Sequence, residues 1–243
     1  MSIYTIGDLH LSFNENKPMG IFGENWNNHE EKIKNNWIKT VKENDLVVLP
    51  GDFSWSTYLK DTYEDFKFID SLPGKKILLK GNHDYWWTTV TSMKNFLKEN
   101  NFGSIDFVYN SAYEFENLII AGTRGWSRLE EGNNQKLIDR EAARLELSIK
   151  QSLKINEKYN NNEDNTENKE IVVFMHYPPI TKENKFNNET NAFIQIMEKY
   201  NIKRCYYAHL HGLAINDAVE GYYWGINFKL VSADRLDFKL LKI

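Results

Sequence analysis

Five short polar segments of this chain place aspartate, asparagine and histidine at the ends of apolar runs. They are Gly7-Asp8-Leu9-His10, Gly51-Asp52, Gly81-Asn82-His83-Asp84, His176 and His209-Leu210-His211-Gly212. Carboxylate, imidazole and amide groups are ligands for divalent metal ions, and this set contains no sulfur. It suits Mn, Fe, Zn, Co or Ni better than Mg or Ca, which prefer an all-oxygen shell. The segments therefore predict a transition-metal centre, with Mn, Fe or Zn as the first choices.

The spacing and charge of these residues favour two metal ions over one. Asp8 and His10 are two residues apart, so in an extended backbone their side chains point to the same side. His209 and His211 repeat that spacing. Asp8 and Asp52 bring about two negative charges, and Asn82 and four neutral histidines bring none, so two divalent ions leave a surplus of roughly +2 for a phosphate dianion. Asp52 is the best candidate for a carboxylate that bridges the ions.

The apolar runs before these segments predict buried strands, and amphipathic stretches between them predict helices. The strand candidates are Ile3–Ile6, Leu46–Leu49, Lys76–Leu79, Leu118–Ala121, Ile171–Met175 and Arg204–Ala208. The helix candidates are Glu30–Lys42, Tyr58–Ser71, Val90–Glu99 and Asn134–Ile155. This alternation indicates an α/β fold, in which ligands bind beyond the carboxyl ends of the strands. The five polar segments are therefore expected at one rim.

Two stretches depart from the alternation. Tyr222–Val231 and Leu236–Ile243 have no helix pattern and predict a closing β-hairpin or meander that turns near Ser232–Asp234. Asn156–Glu170 is rich in Asn, Glu, Asp and Lys, which predicts a mobile surface connection or a frayed helix end. With no internal repeat and no linker pattern, residues 1–243 are predicted to form one domain.

The ordered series of polar segments resembles the calcineurin-like metallophosphoesterases over residues 7–212. The resemblance implies an α/β fold of two stacked mixed β-sheets flanked by helices, a four-layer α/β/β/α sandwich. It implies that Asp8, His10, Asp52 and His211 hold one metal, and that Asp52, Asn82, His176 and His209 hold the other. It also implies that His83, oriented by Asp84, contacts the phosphate and helps the leaving group.

Two details refine this resemblance. The family usually has glycine before the last histidine pair, where this chain has Ala208, whose methyl group is expected to narrow the backbone turn. A small bacterial branch of predicted phosphohydrolases is similar in the residues after the first segment. These are Lys17-Pro18-Met19, Phe22-Gly23, Trp26 and His29.

Several residues near the segments allow both functional and structural interpretations. Arg124 follows a strand-like run and could bind a substrate phosphate or form a structural ion pair. His29 opens a helix pattern on a polar face, which favours capping or exposure over metal ligation. The neighbouring aromatic residues favour core packing and stiffening of the rim over a cleft for a flat group. They are Trp55, Tyr85, Trp86, Trp87, Trp126 and Tyr177.

Composition argues against several classes of partner and site. The net charge is −4 and there is no basic cluster, so neither duplex nucleic acid nor a membrane surface is an expected partner. The single cysteine, Cys205, excludes an internal disulfide and a multi-thiolate metal site. No apolar run approaches about 18 residues and no leader pattern precedes the first strand, so a cytoplasmic protein is expected.

These features predict a hydrolase that cleaves a phosphate mono- or diester in a small phosphorylated substrate. The expected mechanism is in-line attack on phosphorus by a hydroxide that bridges two divalent metals. Monoester, diester and pyrophosphate substrates all fit the residues. A catalytically silent scaffold of the same fold is one alternative. It is weakened because the chain retains His83 and every predicted metal ligand. A nuclease for short oligonucleotides is the other, weakened by the acidic balance.

Overall fold

The computed structural model describes residues 1–15, 17–126, 135–160 and 168–243, which contain eleven strands and six α-helices. The strands are β1 (Ile3–Thr5), β2 (Leu46–Pro50), β3 (Lys75–Leu79), β4 (Ile105–Phe107), β5 (Tyr113–Phe115), β6 (Leu118–Thr123), β7 (Glu170–Met175), β8 (Arg204–Tyr207), β9 (Gly221–Tyr223), β10 (Ile226–Leu230) and β11 (Leu241–Lys242). The helices are α1 (His29–Thr40), α2 (Tyr63–Asp70), α3 (Val90–Glu99), α4 (Gln135–Asn160), α5 (Lys182–Asn187) and α6 (Ala192–Lys199). Short 3₁₀ turns occupy Met19–Phe22, Glu24–Trp26, Leu59–Thr62 and Gly212–Asp217.

The strands form two mixed sheets with parallel centres. The first sheet has the order β11-β1-β2-β3-β4, in which β1 to β4 are parallel and β11 is antiparallel. The second has the order β5-β6-β7-β8-β10-β9, with antiparallel strands at both edges. All five residues of β2 are buried, as expected for a central strand covered on both faces.

Three apolar clusters hold four layers together. Alternate residues of a strand point to opposite faces, so Val48 of β2 packs between the sheets with Phe174 of β7. Val47 faces outward and shares a cluster with Trp37 of α1 and with residues of α2 and α3. On the other side, Leu145 of α4 and residues of α6 cover the second sheet. The predicted α/β sandwich of two mixed sheets flanked by helices is confirmed.

The elements missed by sequence analysis are short. Helix α3 has the predicted bounds Val90–Glu99, whereas the predicted helix Tyr58–Ser71 is a 3₁₀ turn followed by α2. Strands β4 and β5 have three residues each, too few to show an alternating pattern. Helices α5 and α6 begin with side-chain caps at Thr181 and Asn191, which stabilise short helices whose periodicity is weak.

The prediction of a closing hairpin near Ser232–Asp234 is wrong. The hairpin lies earlier, between β9 and β10, and turns at Trp224-Gly225, where both residues have positive φ. Strand β10 then runs parallel to β8, and β11 pairs with β1 in the first sheet. The turn was missed because tryptophan is not a typical residue for a positive φ.

The polar stretch Asn156–Glu170 is ordered at both of its ends, so the prediction of a mobile connection is wrong there. Helix α4 continues to Asn160, and the buried side chain of Asn156 exchanges two hydrogen bonds of 3.0 Å with the backbone of Lys169. Glu170 opens β7 and forms two hydrogen bonds of 2.8 Å with Arg204. Residues 161–167 lie outside the described residues.

Helix α4 is the longest helix of the described residues, with 26 residues. It carries many charged side chains, and its apolar stripe is covered by the second sheet. Across the described part of the chain, no helix is both long enough and apolar enough to cross a bilayer.

Candidate metal centre

The carboxyl ends of five parallel strands bring the polar segments to one edge of the molecule. Strands β1, β2 and β3 are neighbours in the first sheet, and β7 and β8 are neighbours in the second. Backbone contacts join the sheets at this edge. The N–H of Gly7, after β1, donates to the carbonyl of Val231, after β10 of the second sheet, at 2.7 Å. Within the second sheet, the N–H of Ala208 donates to the carbonyl of His176 at 3.0 Å. The predicted ligands therefore converge from both sheets.

Left-handed backbone turns aim these ligands. The φ angles are 57° at Asp8, 45° at His10, 51° at Asp52 and 79° at His209. The predicted extended backbone is therefore wrong at both histidine-containing segments. Residues other than glycine adopt this region at a cost of about 1–3 kcal/mol, which the surrounding structure must outweigh. Hydrogen bonds from Asp8 to Gly51 at 3.0 Å and from His10 to Asp52 at 2.9 Å hold two of the turns.

Asp8, His10 and His211 form the first candidate metal cluster, in which the ligand atoms lie within 4.8 Å of one another. His211 Nε2 lies 3.4 Å from Asp8 Oδ1 and 3.4 Å from His10 Nε2. On the far side of the ring, His211 Nδ1 donates to Asp234 Oδ1 at 3.0 Å. This contact turns Nε2 of His211 toward Asp8 and His10, the other candidate ligands of this cluster.

Asp52, His176 and His209 form the second candidate cluster, and Asn82 lies among them. Asn82 Oδ1 is 2.6 Å from His176 Nε2 and 2.9 Å from His209 Nδ1. His176 Nδ1 lies 3.1 Å from the carbonyl of Pro50. Because a carbonyl can only accept, the hydrogen of a neutral His176 lies on Nδ1 and Nε2 carries a lone pair. That lone pair faces the second cluster.

The donor atoms of both clusters fit divalent cations. Asn82 Oδ1 and Asp52 Oδ2 lie within 3.5 Å of His176 Nε2, and when Asp52 is ionised none of these three atoms carries a hydrogen. Acceptors crowded in this way repel one another unless a cation lies between them. In the first cluster, the Nε2 atoms of His10 and His211 face each other at 3.4 Å, which also requires a shared proton or cation.

Carboxylates crowd the centre of the site. Burial, followed by the charges of Asp84 and Asp8, raises the pKa of Asp52 well above its ordinary value. Burial also acts to raise the pKa of Asp8, but the attraction of His211 and other histidines outweighs it and lowers this pKa. A divalent cation would relieve the repulsion that Asp52 experiences.

The pKa values of the histidines differ even within the first cluster. Burial lowers the pKa of His10 and of His176 well below the ordinary value, so both rings are neutral and offer a lone pair. Burial also acts to lower the pKa of His211, but Asp8 and Asp234 outweigh it and raise that pKa to about 10. The position of His211 therefore strongly attracts positive charge.

Asp84 connects the loops that follow β2 and β3. Its side chain is fully buried, and its two oxygens accept five hydrogen bonds. The donors are the N–H groups of Gly81, Asp52, Phe53 and Ser54 and the indole of Trp86, at 2.7–3.3 Å. None of these donors is the ring of His83. Asp84 therefore fixes the loops after β2 and β3, and with them the backbone of Asp52.

His83 lies at the rim, beside the first cluster. Its backbone N–H donates to Asp52 Oδ1 at 2.8 Å, and its half-buried ring packs against Trp55 with 4.5 Å between centroids. The ring of His10 is 5.6 Å away in an edge arrangement. Neither candidate cluster of the described residues includes His83. The structure thus separates Asn82, which faces the second cluster, from its neighbour.

His29 is neither exposed nor a helix cap, so that prediction is wrong. The N-cap of α1 is Asn28, while the ring of His29 is buried with Nε2 at 3.0 Å from the carbonyl of Leu9. Trp26 packs edge-on against His29 at 5.3 Å and against His211 at 5.5 Å. The polar residues around His29 suggested an exposed position. The contact with Leu9 arises only because the fold packs the first turn of α1 against the first cluster.

Asp234 is a site residue that sequence analysis missed. Its side chain is 1% exposed, and its oxygens accept from His211 Nδ1 and, at 2.8 Å, from the N–H of Gly212. The only local signal is an aspartate in a turn, which is common at turns without any metal. The contact with His211 could be recognised only from the folded chain.

The aromatic residues beside the segments divide between core and rim. Core packing is confirmed for Trp86, Trp87, Trp126 and Tyr177, which are all buried. Tyr85 is exposed, and the half-buried Trp55 stacks on His10 with 4.7 Å between ring centroids.

Arg124 lies at the end of β6, close to the second cluster. Its carbonyl accepts from the N–H of Tyr177 at 2.8 Å, and the Tyr177 ring packs on His209 at 4.2 Å. The guanidinium lies over Trp126 at 4.7 Å, and Nη2 is 3.8 Å from Glu141 Oε1. This long ion pair leaves hydrogen-bonding capacity on the guanidinium.

The methyl group of Ala208 packs against Gly7 in the loop after β1 and leaves no room for a side chain there. A Cβ placed on Gly7 would lie 2.7 Å from Ala208 Cβ, closer than real Cβ contacts. Ala208 is fully buried, so the two residues complement each other in size.

Comparison with solved structures shows that the fold is shared widely. Similar chains include AQ665 from Aquifex aeolicus, a protein of unknown function, at 19% identity over 99% of this chain and 95% of that one, with a TM-score of 0.51. TT1561 of Thermus thermophilus is 13% identical over 99% and 97%, with a TM-score of 0.55. Phosphopantetheinyl Hydrolase (PptH) from Mycobacterium tuberculosis is 14% identical over 100% and 95%, with a TM-score of 0.51. A comparison with curated proteins finds no match.

A family model, described as calcineurin-like phosphoesterase, matches residues 1–213. This match covers both candidate clusters as well as most of the two sheets. The chain therefore belongs to the calcineurin-like phosphoesterase family.

Proposed function

We propose that this protein is a phosphoesterase that hydrolyses a small phosphate ester at a centre of two divalent metals. The observation that carries the proposal is the position of Asp52. Its Oδ2 atom lies 3.7 Å from His10 Nε2 of the first cluster and 3.5 Å from His176 Nε2 of the second. One carboxylate oxygen thus faces both clusters, as a bridging ligand must.

The ligands divide between two adjacent positions. Asp8, His10, Asp52 and His211 would hold one ion, and Asp52, Asn82, His176 and His209 would hold the other. The nitrogen and oxygen donors favour Mn, Fe or Zn. Such ions lower the pKa of water and stabilise negative charge on phosphoryl oxygens.

The chain contributes further groups at the rim. His83 is placed to donate a hydrogen bond or a proton to a phosphoryl or leaving oxygen, and Trp55 holds its ring against the first cluster. Arg124 is the proposed substrate-binding cation beside the second cluster. Asp84 keeps the backbone of these loops in place through its five hydrogen bonds.

Hydrolysis of para-nitrophenyl phosphate and of its bis ester tests this proposal. Protein supplied with Mn²⁺ should release nitrophenol from at least one of them, and protein treated with EDTA and then desalted should not. Addition of Mn²⁺ should restore the rate. An undiminished rate in chelator-treated protein, with its metal content shown to be negligible, would contradict the proposal.

A further inference from the structure

A cluster of positive side chains lies beside the second metal cluster, around one buried carboxylate. Glu141 is 1% exposed, and Arg144, Arg140 and Arg124 place nitrogens 2.6, 3.5 and 3.8 Å from its Oε1 atom. Thr123 also donates to Oε2 at 2.8 Å. Within the described residues these three arginines have no other ion pair, so one negative charge faces three positive ones.

Lys80 adds a further positive charge. It is half-buried and directly precedes Gly81 and the ligand Asn82. In the described part of the chain its ammonium group has no ion pair and no hydrogen bond. The end of β3 packs against the end of β6 here, because a Cβ placed on Gly122 would lie 2.6 Å from Cδ2 of Leu79, the residue before Lys80. The excess positive charge therefore extends from Glu141 to the loop that carries Asn82.

Two buried donors in this cluster have no acceptor among the described residues. They are Arg124 Nε and Trp126 Nε1, and the guanidinium of Arg124 lies over the Trp126 ring. Buried N–H groups are almost always satisfied in native proteins. Tyr177 lies between these donors and the second cluster, because its ring centroid is 5.8 Å from that of Trp126 and 4.2 Å from that of His209. They indicate an acceptor that the described part of the chain does not itself provide.

We infer that Arg124, Trp126 and Lys80 form an anion subsite for a second phosphate group of the substrate. The inference rests on the proposed function, since the first phosphate would lie at the metal centre. Arginine and lysine together offer several donors and more than one positive charge, which matches a phosphate dianion better than a carboxylate. The substrate class is thus a phosphate ester that carries a second phosphate on a short spacer.

Matched substrates and non-hydrolysable ligands test the subsite. Butanediol bisphosphate and butyl phosphate present the same scissile ester, and only the first carries a second phosphate. The Mn²⁺-loaded enzyme should prefer the bisphosphate in kcat/KM. Calorimetry should likewise show tighter binding of butanediphosphonate than of butylphosphonate, which is a readout independent of turnover.

Two substitutions and one control test whether Arg124 and Lys80 cause the preference for the bisphosphate. Arg124→Met and Lys80→Met should each reduce the preference for the bisphosphate by about 10- to 100-fold, the usual effect of removing one charged hydrogen bond. Lys182→Met removes an exposed lysine that pairs with Asp217 and should leave the preference unchanged. If Arg124→Met fails to fold, as judged by circular dichroism, Lys80→Met decides the matter.

The outcomes separate the two proposals. Metal-dependent hydrolysis with equal treatment of mono- and bisphosphate ligands would overturn the subsite while the proposed function stands. A preference that survives both substitutions would overturn the assignment of the subsite to these residues. Absence of metal-dependent hydrolysis on every ester would overturn the proposed function, and the subsite with it.

Discussion

In the first cluster a carboxylate holds the ring of His211, whereas in the second a main-chain carbonyl holds the ring of His176. Asp234 accepts from His211 at 3.0 Å and, together with Asp8, raises the pKa of His211 to about 10 despite burial. Pro50 lies 3.1 Å from His176, and burial lowers the pKa of that ring well below its ordinary value. The Asp234 carboxylate adds negative charge to the site, whereas the Pro50 carbonyl adds only a dipole.

This difference determines how each position responds to sequence change. A carboxylate outside the ligand set orients the histidine and strengthens its hold on a metal, so its loss weakens that position. A carbonyl at the end of β2 cannot be removed by replacing a side chain. The first position is therefore expected to be sensitive to one residue beyond the ligands, and the second to the packing of the backbone.

The largest expected effect comes from Asp52, the residue of the second cluster whose Oδ2 atom also faces the first. Elemental analysis of the unaltered protein, purified without chelator, should approach two transition-metal ions per chain.

Asp52→Asn removes the charge that faces both clusters, so the variant should bind at least one ion fewer. Its turnover should fall by more than about 100-fold, which exceeds the usual effect of replacing a residue that only hydrogen-bonds to a metal ligand. Asp217→Asn, at an exposed carboxylate, is the matched control. A maximum of one ion with full activity would refute the two-metal centre.

The next effect concerns a residue at the rim that belongs to neither cluster. His83→Ala should keep close to the full metal content while turnover falls by about 10²–10⁴, the usual contribution of general acid help. The loss should be smaller for para-nitrophenyl esters, because para-nitrophenolate is a stable anion that leaves without protonation. Parallel kinetics and elemental analysis measure both quantities. If the variant lacks one ion and excess Mn²⁺ restores its activity, His83 is a ligand instead.

Asp234→Asn tests the contact between Asp234 and His211 directly. It keeps an acceptor for His211 Nδ1 but removes the charge, so one of two metal-binding steps should weaken by about 10- to 100-fold. Titration of Mn²⁺ into chelator-treated protein, followed by calorimetry, resolves the two steps. Asp237→Asn replaces an exposed carboxylate in the same turn and should change neither. Equal weakening of both steps would show that Asp234 acts through general stability.

The smallest expected effect tests the backbone packing between the clusters. Gly7→Ala places a methyl group against Ala208, and such overpacking destabilises a protein by about 1–3 kcal/mol. The melting temperature should fall, and the double variant Gly7→Ala with Ala208→Gly should recover most of the loss. No recovery in the double variant would mean that Pro50, the next contact at 3.2 Å, causes the strain.

Local patterns in the sequence determined the ligands and the strands that carry them. The run Leu46–Leu49 is buried on both sides and ends in Gly51-Asp52, and the same arrangement recurs at His176. Because parallel strands end at one edge, residue type and order were enough to predict a rim of carboxylates, imidazoles and an amide. The amphipathic pattern predicted helix α3 with its bounds, and in the structure the side chain of Thr89 caps its first turn.

The tertiary structure alone decided how these groups are held. The ring of His29 hydrogen-bonds to the carbonyl of Leu9, and Asp84 accepts hydrogen bonds from the loop after β2. Asp234 accepts a hydrogen bond from His211. The register that turns Asp8 and His10 into the left-handed region comes from hydrogen bonds to the loop of a neighbouring strand. Each of these contacts joins residues that are distant in the chain, so no local period reports them. They depend on how the two sheets pack, which side-chain patterning leaves open.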